Sequence, residues 1–76
     1  MTYQELKMIM RGKAKLARGL VNLLIDDTDQ MVIDVDDFDM FNLEEAIREA
    51  KRTSQNLIDT IKELERDLKL AKRDAL

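Results

Sequence analysis

From Leu43 to Ala75, apolar or small residues return in alternating steps of four and three: Leu43, Ile47, Ala50, Ser54, Leu57, Ile61, Leu64, Leu68, Ala71 and Ala75. That is the a/d spacing of a helix that buries one narrow seam against other helices. No proline or glycine interrupts it, and the positions between are mostly Glu, Lys, Arg, Asp, Gln and Thr, as a solvated helix face requires. The spacing predicts a long helix over 43–74 that needs a partner, with Ile47, Leu57, Ile61, Leu64 and Leu68 as a dimer core.

A second helical period runs from Thr2 to about Ile25. Tyr3, Leu6, Ile9, Met10, Leu16, Ala17, Leu20, Leu23 and Leu24 share one broad face. Gly12 and Gly19 stand seven apart at its margin, each costing roughly 1 kcal/mol against Ala in a helix interior. They mark either a close backbone approach or a loosened helix. Asp26 and Asp27 follow, where the negative end of a helix dipole disfavours anions, so the first helix is expected to stop there. Met31, Ile33 and Val35 then alternate with Val32, Asp34 and Asp36, a short strand-like pattern inside an acidic link spanning 26–42. Asn42, followed three residues later by Glu45, has the form of a capping box for the long helix, with Phe41 placed to pack back on its first turn.

Seventy-six residues make one small domain, over 1–76, and bury little surface unaided. The long helix over 43–74 would reach about 48 Å at 1.5 Å per residue, whereas a compact monomer of this chain would have a radius of gyration of about 11 Å. A first helix ending at residue 25 cannot cover it. The expected architecture is therefore all-α: an antiparallel two-helix hairpin with a long second helix, dimerising into a four-helix bundle or coiled coil.

The chain has neither cysteine nor histidine, which removes disulfides, thiolate metal sites and the usual general base near neutral pH. Its one serine, Ser54, has no imidazole to activate it, and an enzyme is not expected. Lys7, Arg11, Lys13, Lys15 and Arg18 break the first apolar segment, so nothing resembles a signal peptide, and no uncharged run approaches a bilayer span of about 20 residues. The expected setting is cytosolic, with no membrane partner and no cofactor. The five methionines read as core filler.

Charge is unevenly placed. Residues 1–25 carry a net +4, 26–45 a net −9 and 46–76 a net +2. Solvation of a connecting loop is the bland explanation. A sharper one is that Asp26, Asp27, Asp29, Asp34, Asp36, Asp37 and Asp39 bind a basic partner. Acids a few ångströms apart approach the phosphate spacing of duplex DNA, about 1.7 Å of axis per charge. In composition this resembles small acidic DNA-mimic inhibitors, and it implies a modulator that covers a nucleic-acid-binding surface of another protein. The alternative is a structural coiled-coil protein whose role is homo-oligomerisation. A calcium loop starting at Asp34 would place Asp36 and Glu45 at ligand positions, but Phe38 and Asp39 fall where a ligand and a glycine are needed, so no metal is expected. The bases of the first helix lack aromatic interleaving and helix-turn-helix spacing, which argues against direct contact with nucleic acid.

Overall fold

In the computed structural model, residues 2–75 are described, with side chains described for 2–73. The chain forms two helices, α1 (Tyr3–Asp36) and α2 (Met40–Ala75), folded back on each other as an antiparallel hairpin. The hairpin is a rod of 56 × 14 × 13 Å with a radius of gyration of 17.1 Å. No strand occurs among the described residues.

Two sequence expectations are corrected here. The first helix does not stop at Asp26 but runs ten residues further, and 31–36 is helical rather than strand. The reason is length matching. An α1 of 34 residues covers an α2 of 36, whereas a helix ending near Ile25 would leave the first third of α2 without a neighbour. Thr28 sits where the break was expected, its hydroxyl donating to the carbonyls of Leu24 and Ile25 at 3.0 and 2.9 Å while the helix continues.

Both ends of α1 are closed by local chemistry. Thr2 caps the start, its Oγ1 accepting from the Glu5 backbone N–H at 3.2 Å. At the other end Phe38 takes the left-handed conformation, φ 53°. Its N–H donates to the Val35 carbonyl at 3.0 Å, and the Asp39 N–H donates to the Asp34 carbonyl at 2.8 Å. That bond pair is the Schellman closure, with phenylalanine where glycine is usual. Helix α2 then begins at Met40, three residues before the expected Leu43. The cap is Asp39 rather than Asn42. Its carboxylate accepts from the Asn42 backbone N–H at 3.1 Å and from the Asn42 side-chain amide at 2.6 Å.

The seam between the helices follows a heptad on both sides. Leu6, Met10, Lys13, Ala17, Leu20, Leu24, Asp27, Met31 and Asp34 of α1 are half-buried or buried, as are Leu43, Ala46, Ala50, Thr53, Leu57, Thr60, Leu64, Asp67 and Ala71 of α2. Its polar members are hydrogen-bonded, Asp34 through one of its two carboxylate oxygens. Lys13 Nζ meets Asp67 Oδ2 at 2.7 Å, and Thr53 Oγ1 donates to Asp27 Oδ2 at 3.0 Å. Thr60 is buried with its hydroxyl donating to the Asn56 carbonyl at 2.8 Å, and Gln30 Nε2 donates to Asp34 Oδ1 at 2.9 Å.

The hairpin core is thin. Among the described residues Ala46, still 9% exposed, is the most deeply placed apolar side chain, beside the buried polar Asp34, Thr53 and Thr60. Gly12 and Gly19 face open space, so neither is held by a close backbone approach within the hairpin.

Candidate functional site

The long-helix seam read from sequence is divided by the structure. Leu43, Ala50, Leu57, Leu64 and Ala71 face α1, but their intrachain companions are Ala46, Thr53, Thr60 and Asp67. The other half of that expected seam, Ile47, Ser54, Ile61 and Leu68, lies one helical row away on an outer face. There Ile47, Ile61 and Leu68 remain 37%, 45% and 44% exposed. Of the expected dimer core, Leu57 and Leu64 are thus half-buried inside the hairpin and the other three are open. Ala75 lies outside the described side chains.

On the same face α1 contributes Met10, Ala14, Val21, Leu24, Thr28 and Met31, again in steps of four and three once the half-buried Ala17 is counted. Two grooves between the helices run along it. One, of about 480 Å³, is lined by Met10, Ala14, Ile61, Leu64 and Leu68, with Arg11 and Glu65 at its rim. The other, of about 620 Å³, is lined by Leu24, Thr28, Met31, Ile47, Ala50, Ser54 and Ile58, with Lys51 and Gln55 at its rim. This face is continuous from the turn region to the far end. The opposite face is not equivalent. On it Ile9, Leu16 and Leu23 of α1 stand beside Asn42, Glu49, Asn56, Glu63 and Leu70 of α2, so its apolar surface comes mostly from one helix, joined by Leu70 near the open end. Near the turn it opens into a polar groove of about 370 Å³ lined by Asp27, Gln30, Asp34, Asn42, Glu45, Ala46 and Glu49.

The seven aspartates do not form one display. Asp34 is 3% exposed, with Oδ1 bonded to Gln30 and Oδ2 buried without a hydrogen-bond partner. Asp27 is half-buried against Thr53, and Asp39 is occupied in capping α2. Asp26, Asp29, Asp36 and Asp37 point to solvent, the first three along α1 and the last at its C-cap. Because α1 and α2 are antiparallel, these acids share an end with Glu44 and Glu45, while Lys7, Arg11, Lys15 and Arg18 are exposed toward the opposite end. The turn-side half, residues 20–57, holds ten acids and three bases for a side-chain net of −7, and the other half carries +4. Exposed ion pairs on α2, Arg48 with Glu44 and Glu45 and Arg52 with Glu49, are at 3.5 to 3.9 Å. Such solvated pairs contribute little to stability.

Among the described residues no cluster of three or more acidic or imidazole side chains could hold a metal ion, and no helix is long and apolar enough to cross a membrane. What the fold and this surface define is a helical hairpin with an open face to which both helices contribute an apolar row. Comparison with protein families, with curated proteins and with solved structures gave no match.

Proposed function

We propose that the protein is a self-assembling helical module, in which a second copy of the chain covers the outer apolar face and completes a four-helix bundle. The carrying observation is the surface left open. The hairpin exposes 6141 Å², whereas a compact monomer of 8.9 kDa would expose about 4,800 Å². The excess, about 1,300 Å² per chain, corresponds to about 2,600 Å² for a pair, within the range of obligate homodimers. Ile47, Ile61 and Leu68 lie on this face beside Met10, Ala14, Leu24 and Met31. The bundle is the occupant their heptad spacing fits. Such a module works by association in the cytosol, with no chemistry of its own.

Sedimentation equilibrium tests this directly. The wild-type chain is expected to sediment as a dimer whose association persists in 0.5 M salt, because apolar burial is not screened. Ile61→Lys with Leu68→Lys should return it to monomer. A wild-type monomer at tens of micromolar would overturn the reading.

A second reading is favoured by the net charge of −7 on the turn-side half and by the outward Asp26, Asp29, Asp36 and Asp37. In it the acidic end covers a basic, nucleic-acid-binding surface of a partner protein, as an inhibitor or modulator. Replacing those four residues by Asn should abolish binding to such a partner and remove its salt dependence. Binding that survives both changes would exclude it.

A further inference from the structure

Resting on the self-assembly reading, we infer that the two hairpins pair head to tail, so that the acidic turn of each lies against the basic open end of the other. The first argument is charge. With turns together, halves carrying −7 would face each other at one end and halves carrying +4 at the other. Reversal sets −7 against +4 at both ends. Like-charge juxtaposition across an interface disfavours an arrangement and complementary charge steers its alternative. The acids Asp26, Asp29, Asp36, Asp37, Glu44 and Glu45 and the bases Lys7, Arg11, Lys15 and Arg18 are all exposed to take part.

The second argument is shape. Phe38 and Phe41, both phenylalanines of the chain, stand at the turn and are 80% and 73% exposed. The far end carries a groove of about 290 Å³ lined by Tyr3, Leu6, Lys7, Met10 and Ala71. Head-to-tail pairing brings the protruding aromatic end of each copy level with this groove in the other. Turn-to-turn pairing sets aromatic end beside aromatic end and groove beside groove.

The third argument is the row on α2. Ile47 lies seven residues from the start of the helix and Leu68 seven from its end, with Ser54 and Ile61 placed likewise at fourteen. A twofold axis across the middle of the rod sets α2 against its own copy, antiparallel, with Ile47 level with the partner's Leu68 and Ser54 level with the partner's Ile61. The small Ser54 then meets a large neighbour. On α1 the same axis passes near Val21, about midway between Tyr3 and Asp36. With turns together, α2 instead faces the partner's α1, and Ile47 falls level with the partner's Thr28.

The chain has no cysteine, so single replacements report these distances without background. Val21→Cys should oxidise to a disulfide-linked dimer. An equimolar mixture of Ile47→Cys and Leu68→Cys chains should cross-link to each other in excess over a mixture of Ile47→Cys and Thr28→Cys by at least about tenfold in low salt, given the cost of like charges in register. Preference for the second mixture would overturn the orientation while leaving self-assembly intact. A dimer by sedimentation that forms neither product would show that another face is used, and overturns the inference as well. A monomer would instead strike down the reading on which it rests.

Discussion

Replacing Asp34 by Leu should stabilise the protein. Asp34 is 3% exposed, one carboxylate oxygen is satisfied by Gln30, and the other is buried without a partner. The substitution removes a hydrogen bond to a charged group, worth roughly 1.5–3 kcal/mol. Against that, it removes a buried carboxyl oxygen left without a hydrogen-bond partner, a cost of roughly 1–3 kcal/mol. It also buries a Leu side chain, worth about 2 kcal/mol, and replaces a poor helix former by a good one. The balance is a gain of about 2 kcal/mol, in the range seen when buried charges give way to apolar residues. For a domain of this size that raises Tm by roughly 4–8 °C per kcal/mol. The assay is urea denaturation followed by circular dichroism, at one fixed protein concentration because association contributes to apparent stability. Asp34→Asn serves as the control. It keeps an acceptor for Gln30 and removes the charge, so it should fall between wild type and the Leu variant. Loss of more than about 1 kcal/mol in Asp34→Leu, at an unchanged m-value, would refute the reasoning, since the apolar replacement would then be worse than the uncompensated carboxylate.

Other perturbations follow from the same contacts. Lys13→Met alone should cost about 2–3 kcal/mol by stranding the largely buried Asp67 carboxylate, and adding Asp67→Leu should recover most of it, a coupling read by a double-mutant cycle in urea. Gly12→Ala and Gly19→Ala should each add about 0.4–1 kcal/mol in the same melts, because the added methyl meets nothing within 4 Å. Asp39→Ala should lower stability by about 1 kcal/mol through loss of the α2 cap. Phe38→Gly should raise it by a few tenths to about 1 kcal/mol, by relieving a left-handed backbone that a side chain disfavours.

The hairpin and the long second helix were legible in the spacing of Leu43, Leu57 and Leu64, because a heptad on an unbroken helix admits few alternatives. The helicity of 31–36 was not. Six residues of alternating β-branched and acidic type carry both periods, and what decided between them is the length of α2, a tertiary demand invisible to a local window. In the sequence Asp39 belongs to a charge run, and an aspartate just before Met40-Phe41-Asn42 is also a capping signal. The division of the apolar stripe was hidden for another reason. Ile47 and Ile61 share the a/d spacing with Leu57 and Leu64, yet the intrachain seam takes the row of Ala46, Thr53, Thr60 and Asp67 and leaves the isoleucines outside. Polar residues at heptad positions of α1, Lys13, Asp27 and Asp34, were the available clue. Lys13 and Asp27 match Asp67 and Thr53 in the polar row of α2, and matching them fixes which flank each helix turns inward. The aspartates were overcounted as a surface because sequence gives no sign of which carboxylates face a neighbouring helix.

Those buried polar contacts also determine how far the two helices may slide. A slip of one heptad would keep the same rows of the two helices facing each other, but would carry Lys13 from Asp67 to Thr60 and Asp27 from Thr53 to Ala46. A half-buried ammonium and a half-buried carboxylate would then lose their partners, at a cost of roughly 1–3 kcal/mol each. Alignment is therefore written along the shaft rather than in the bend, and extra residues spliced in after Asp37 should leave the helices meeting at the same rungs.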